Sequence, residues 1–344
     1  MKWKFILLIL LLVLLAFALK TCYQAGSFTK IKGHSPGIAK IYTGATGTED
    51  IDLIPGSDFL LVSASDRRNK SEQDGIYMLD ITDQDASLNK LPHTYNGAFH
   101  PHGISVFKQD SSIYLHVVNH NKEGNFIEFF EYKKDTLHHY GTIQSPDMCC
   151  PNDVVAVNKN QCYITNDHGQ AEGWKRTMED YLKLPYSYIL YYDGVTFAKA
   201  YEGLNYANGI NISPDGSKLY ATHTTGQELL TFNRNESTGA ITLTDKINLK
   251  SGLDNIDIDN EGNIWIGSHP KLFDFIAHAE DTNALSPSQV FKLTPGKSNH
   301  TDYKVEEIYL NDGSEISGSS VAVMHNNDLF IGVVFDAKLL RVKL

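Results

Sequence analysis

Residues 208–222, NGINISPDGSKLYAT, hold a polar residue, a short apolar strand, a tight turn and a second strand. Pro214-Asp215-Gly216 supplies the turn, since proline presets its own φ and glycine accepts the positive φ that follows. The same phrase returns as EDIDLIPGSDFLLVS at 49–63, NDVVAVNKNQCYIT at 152–165 and DNIDIDNEGNIWIG at 254–267. A relative, HGISVFKQDSSIYLHVV, starts at His102, and a degenerate copy, GSSVAVMHNNDLFIGVV, covers 318–334. The starts at 49, 102, 152, 208 and 254 are 53, 50, 56 and 46 residues apart. A step of about fifty residues of strand and turn is what one four-stranded propeller blade needs. The body from residue 25 to 344 therefore reads as a single all-β domain, a six-bladed β-propeller, with its first and last strands meeting in one blade. A β-sandwich does not explain so regular a step.

Between the phrases the chain remains strand-like. Gly75–Asp80 (GIYMLD), Ile113–Val118 (IYLHVV) and Asp328–Val334 (DLFIGVV) are rich in β-branched and aromatic residues and bounded by turn formers. One segment, Gly173–Leu182, reads as helix. Hydrophobic residues make up 42% of the 344 and charged residues 21%, enough apolar content for a packed core. The net charge of −11 argues against a nucleic-acid partner, which needs a clustered basic face.

The amino terminus has a different character. Lys2 and Lys4 precede an unbroken apolar run, Phe5–Leu19, which Lys20 stops. That order is characteristic of a secretory signal, and no small-x-small cleavage site follows. Residues 1–20 are thus expected to be an uncleaved signal-anchor, or alternatively a cleaved signal. Either way the body lies outside the cytoplasm, and the anchor version brings membrane contact. Four cysteines, two of them adjacent at 149 and 150, do not make a disulfide framework and read as unpaired thiols.

In every phrase the polar residue stands just before or at the start of the strand expected to line the central channel. Glu49, Asn152, Asn208, Asp254 and Asn255 then converge from four blades. They offer hard oxygen donors of mixed charge, the donor set that calcium prefers. Asp50 and Asp153 are their neighbours, placed for a second calcium deeper in the channel. His102 and His120 come to the same mouth, where a neutral imidazole can take a proton from water while the metal polarises a carbonyl. No Gly-x-Ser-x-Gly elbow and no His-Glu-x-x-His motif is present.

TGTED at 46–50, HPHGISVF at 100–107, VVNH at 117–120, NDVVAV at 152–157, TNDH at 165–168, YANGINISPDG at 206–216, LDNIDID at 253–259 and WIGSHP at 265–270 together resemble the serum paraoxonase/arylesterase family. The likeness runs in order along nearly the whole chain from about Gly44. It implies a calcium-dependent lactonase and arylesterase, acting on small-molecule esters or lactones, with two calcium ions per chain. The catalytic ion would sit on Glu49, Asn152, Asn208, Asp254 and Asn255, and the structural one on Asp50, Asp153 and the backbone carbonyl of Ile104. His102 and His120 would form the catalytic dyad, with Asp167, His168 and His269 nearby. Two features depart from the family pattern: no cysteine stands at the C-terminus to tie it to the N-terminal strand, and Ser268 replaces a free cysteine. Two rival readings are a gluconolactonase or strictosidine-synthase type of propeller enzyme and a non-catalytic binding platform; the paired aspartates and the two histidines favour the two-calcium hydrolase.

Overall fold

The strands are short and apolar on both faces because each sheet is covered on both sides, which a ring of sheets achieves. The computed structural model describes residues 2–69, 71, 73–83, 85–296 and 302–344. Six four-stranded antiparallel sheets are formed. Their first strands are Thr48–Leu53, Pro101–Gln109, Pro151–Asn158, Ala207–Ile212, Gly252–Ile258 and Ser319–His325, opening blades 1 to 6 in turn. These inner strands pack side by side in chain order, and blade 6 returns against blade 1. The expected six-bladed propeller is the fold.

Closure rests on backbone pairing. Strand Ile38–Tyr42 runs antiparallel to Leu339–Lys343, from Ile38 opposite Lys343 to Tyr42 opposite Leu339, and completes blade 6. The ends of the chain therefore meet in one blade without a disulfide, and all four cysteines are free thiols.

Core packing lies between blades. Ile51, Leu60, Val62 and Leu79 of blade 1 pack against Val321, Val323 and Phe330 of blade 6, and comparable clusters fill the other five junctions. Each fully buried leucine or isoleucine contributes roughly 1.5–3 kcal/mol relative to exposure. Adjacent blades thus hold one another, and the inner strands are fixed with their polar residues facing the axis.

Among the described residues three helices accompany this ring. Helix α1 (Lys2–Gln24) contains an 18-residue stretch with a mean hydropathy of 2.8, and none of it is buried; at about 1.5 Å per residue it is long enough to cross a membrane, as a signal sequence also is. Helix α2 (Trp174–Leu182) coincides with the expected helical segment. Helix α3 (Leu272–Glu280) corrects the reading of a single helix in the body. Its sequence, LFDFIAHAE, opens with an apolar run and has no side-chain cap, so neither periodicity nor capping announced it. Arg68 of blade 1 holds its last turn, donating to the carbonyls of Ala279 (3.2 Å) and His278.

Candidate active site

The positions expected to converge all fall on one structural irregularity. In each inner strand the pairing with the second strand slips by one residue, between Thr48 and Asp50, Pro101 and Ile104, Pro151 and Val154, Ala207 and Ile210, Leu253 and Ile256, and Ser319 and Ala322. These slips are β-bulges, which re-aim side chains beside a functional site. Glu49, His102, Asn152, Asn208, Asp254, Asn255 and Ser320 lie within the six bulges. Close approach of the strands demands glycine beside two of them. A Cβ on Gly103 would fall 2.3 Å from Asp153 Oδ1, and one on Gly209 would fall 2.6 Å from Asn255 Cα.

Four oxygens of the expected set are buried without any hydrogen-bond partner: Glu49 Oε2, Asn152 Oδ1, Asn208 Oδ1 and Asn255 Oδ1. Their orientation has a cause. Asn208 donates its amide to Thr224 Oγ1 (2.9 Å) and Asn255 donates to Glu49 Oε1 (3.0 Å), so each carbonyl oxygen is the end left free. Asp254 Oδ2 is held by His269 Nε2 at 2.9 Å, and His269 stacks on Phe275 of α3 with centroids 3.8 Å apart. Buried acceptors left open in this way call for a bound cation or water. Among the described residues no group of three or more His, Cys, Asp or Glu side chains is placed to hold a metal ion. The set here is made of amide and carboxylate oxygens, which suits a hard cation of calcium type better than zinc.

One layer down, Asp50 and Asp153 bridge neighbouring blades. Asp50 accepts from Ile51 N–H (2.9 Å) and from Ile104 N–H of blade 2 (2.7 Å). Asp153 accepts from Val154 N–H (2.7 Å) and from Ile210 N–H of blade 4 (2.8 Å). Burial pushes both carboxyls well up, and nearby acids push them further, Asp153 and Glu49 for Asp50 and then Glu49 and Asp254 for Asp153. Burial also raises Glu49, but His102 and Arg67 outweigh it and hold that carboxyl down at about 2. A stack of buried acids is expensive unless a dication lies among them.

The two histidines form a directional chain. Asn125 donates its amide to the Cys149 carbonyl (2.6 Å), so its Oδ1 accepts from His120 Nδ1–H (2.7 Å). The Nε2 of His120 then accepts from His102 Nδ1–H (2.9 Å); His102 Nε2, 3.2 Å from Glu49 Oε1, carries a proton toward that carboxylate when the imidazole is charged and is its basic nitrogen when it is neutral. Burial and then the charge of His102 push His120 down to about 3, so it is neutral at physiological pH.

Above these groups lies a cavity of about 600 Å³, floored by Glu49, His102, Asn152, Asn208 and Asp254 and walled by Tyr206, Phe275 and Phe335 with parts of α2 and α3. The last turn of α1 and the residue after it reach the same rim, where Thr21 and Ala25 line the cavity and the Ala25 carbonyl accepts from Leu272 N–H (2.9 Å). His168 lies beneath α2 between Asp167 (2.6 Å) and Asp180 (3.0 Å), so of the three neighbours expected, His168 and His269 line the cavity and Asp167 supports His168. Sequence reasoning missed Arg67, whose guanidinium is 3.3 Å from Glu49 Oε2, and Asn125, which orients His120. Neither stands in a repeated phrase: Arg67 follows the second strand of blade 1, and Asn125 sits on the third strand of blade 2 directly opposite His120.

The arylesterase family model matches residues 39–342, almost the whole propeller. Serum paraoxonase/arylesterase 2 of Rattus norvegicus is 32% identical over 309 residues, covering 86% of this chain and 85% of that protein. Serum paraoxonase/arylesterase 1 of Homo sapiens is 30% identical over 310 residues, with the same coverage of each. Among solved structures, a gluconolactonase of Xanthomonas campestris superposes with a TM-score of 0.56 at 16% identity, over 92% of this chain and 94% of its own. Regucalcin of Agrobacterium tumefaciens, a calcium-binding protein, gives 0.52 at 13%, over 87% and 93%. At such identities these structures speak for the propeller fold alone. The sequence matches go further: the chain belongs to the arylesterase family, alongside the serum paraoxonases.

Proposed function

We propose that the protein is a calcium-dependent hydrolase of carboxylic esters and lactones, working in the cavity at the mouth of the propeller channel. The observation that carries this reading is the set of four buried oxygens without a hydrogen-bond partner on Glu49, Asn152, Asn208 and Asn255, beside Asp254 and directly under the cavity. These five residues would hold the catalytic calcium. Asp50, Asp153 and the Ile104 carbonyl would hold a second, structural ion. Calcium bound there supplies Lewis-acid polarisation of the ester carbonyl and charge for the developing oxyanion.

The chain's own residues do the rest. His102 Nε2 takes the proton of an attacking water, while the His120–Asn125–Cys149 carbonyl chain fixes its tautomer and disperses the charge it acquires. His269 holds the Asp254 carboxylate in place. Tyr206, Phe275 and Phe335 present an apolar wall suited to the acyl or aryl part of a small, lipophilic substrate. Arg67 neutralises Glu49 from the side facing the cavity. The apolar α1 would keep the protein outside the cytoplasm, anchored in a membrane close to the cavity rim or released as a secreted form.

Hydrolysis of a panel of alkyl lactones and phenyl esters, with and without a calcium chelator, tests the proposal. Activity that vanishes with chelator and returns with calcium is expected, together with a lower melting temperature without calcium, because ion binding adds to folding stability. Activity and melting temperature both indifferent to chelator would remove the metal from the reading.

A further inference from the structure

Cys149 and Cys150 are consecutive in sequence, and their sulfurs are 2.9 Å apart. Cys150 is buried, whereas Cys149 is partly exposed to a groove of about 460 Å³ lined also by Gly169, Gln170, Tyr186 and Tyr188. The groove is separate from the catalytic cavity, yet the two are joined through the backbone. The Cys149 carbonyl is the acceptor that fixes Asn125, and Asn125 in turn fixes His120. The Cys150 carbonyl accepts from Asp167 N–H (2.9 Å).

We propose that Cys149 and Cys150 are a reversible redox site, which a small-molecule disulfide closes into a vicinal disulfide and which thereby loosens the histidine chain. The coupling to catalysis rests on the dyad reading above. In the first step the Cys149 thiolate attacks one sulfur of the small disulfide, forms a mixed disulfide and expels one thiolate. Cys150 then gives up its proton, attacks the Cys149 sulfur and expels the second thiolate. The protein loses two hydrogens, and the small disulfide is reduced to two thiols. Hydrogen bonding from Cys150, opposed by burial, brings the Cys149 thiol down to about 7, which suits it to attack first.

The ring so formed contains the Cys149–Cys150 peptide bond itself. Closing it twists that peptide and carries away the carbonyl to which Asn125 donates. A ring of this kind is strained, and strained disulfides are the easily reduced, regulatory ones. Conditions that keep structural disulfides oxidised would therefore still leave this pair poised between its two states.

The calcium-loaded, full-length protein is equilibrated with mixtures of oxidised and reduced glutathione, free thiols are alkylated, and peptide masses are read beside lactone hydrolysis. Both thiols of the 149–150 peptide should be lost together without a glutathione adduct. Lactone turnover should fall about tenfold, less than the roughly hundredfold minimum for losing a positioned acid–base group because His102 itself stays in place, and recover with dithiothreitol. Cys150→Ser, checked for an unchanged melting temperature, should instead trap glutathione on Cys149. A wild type that also keeps the glutathione adduct, or whose two thiols stay free throughout, overturns the site. If the ring closes and turnover holds while His120→Gln is crippled, the coupling is overturned. A His120→Gln enzyme as active as the wild type fails the dyad instead, and the masses then decide the redox site on their own.

Discussion

The two ends of the propeller channel carry similar residues and use them differently. Where the inner strands finish, Asp52 accepts from Val106 N–H (2.7 Å), and Asn211 donates to the Ile256 carbonyl (2.9 Å) while accepting from Ile212 N–H (2.8 Å). Asp257 there accepts from the backbone of Ile258 and Met324. Every one of these groups clips a strand to its own turn or to the next blade. Where the inner strands begin, Glu49, Asn152, Asn208 and Asn255 each keep an oxygen with no hydrogen-bond partner. The mouth has a bulge in all six inner strands, and in blades 1, 3, 4 and 5 a residue re-aimed there, Glu49, Asn152, Asn208 or Asn255, keeps an oxygen away from any neighbour's N–H. Asp and Asn on an inner strand are thus clamps by default, and the open oxygens lie where the ladder slips.

Truncation at the two ends should separate these roles most sharply. Asp254→Ala and Asn208→Ala are expected to lower lactone turnover by about a thousandfold or more, since they remove oxygens around the proposed ion and weaken charge stabilisation worth several kcal/mol. Asp257→Ala removes a clamp of the same chemical type at the other end. It should leave turnover within about twofold and cost about 1–3 kcal/mol of stability, the penalty for backbone donors left unsatisfied. Steady-state kinetics and urea unfolding of the three variants check this, and a catalytic defect in Asp257→Ala equal to that of Asp254→Ala would erase the distinction.

A smaller effect is expected from the base. His102→Gln should reduce hydrolysis of an alkyl lactone by about a hundred- to ten-thousand-fold, below the loss from removing a calcium ligand when the two are compared on one substrate. On a phenyl ester the loss should be less, because the aryloxide leaves without proton assistance. His120→Gln, which leaves His102 in place but without its partner, should fall between His102→Gln and wild type on the lactone. Equal defects of His102→Gln on both substrates would mean that the imidazole positions water rather than taking its proton.

The fold and most of the mouth were legible because both derive from repetition. A phrase recurring near fifty residues encodes a blade, and the same repetition brings Glu49, Asn152, Asn208, Asp254 and Asn255 to one level of the channel. What repetition does not encode was missed. Helix α3 is an insertion between the second and third strands of blade 5, with an apolar start that reads equally as strand. Arg67 and Asn125 lie outside the inner strands, Arg67 on the loop after the second strand of blade 1 and Asn125 on the third strand of blade 2 opposite His120. The adjacent thiols of Cys149 and Cys150 read as unpaired, and sequence does not show that a groove reaches one of them or that the carbonyl between them accepts from Asn125.

The smallest effect concerns how the cavity wall formed by α2 is fastened. Buried His168 sits between Asp167 and Asp180; burial alone would lower its pKa, but the two carboxylates outweigh burial and raise it to about 9. Its ordinary value is about 6.5, so the folded state binds the proton more tightly than the unfolded state does. The stabilisation from this ion triad is therefore full below about pH 6.5, declines as pH rises, and is gone once pH passes about 9. Asp180 is well exposed, so solvent screening reduces the contribution to on the order of 1 kcal/mol. His168→Gln should melt a few degrees below wild type at pH 6, and the gap should close by pH 9.5. The fluorescence of Trp174, at the exposed start of α2, should show the helix loosening over the same range in the wild type but not in the variant. A melting gap that stays constant from pH 6 to 9.5 would mean that His168 holds α2 as a neutral hydrogen-bonding group, and the wall would then be fastened by Glu179, which accepts from Gly169 N–H at 2.8 Å.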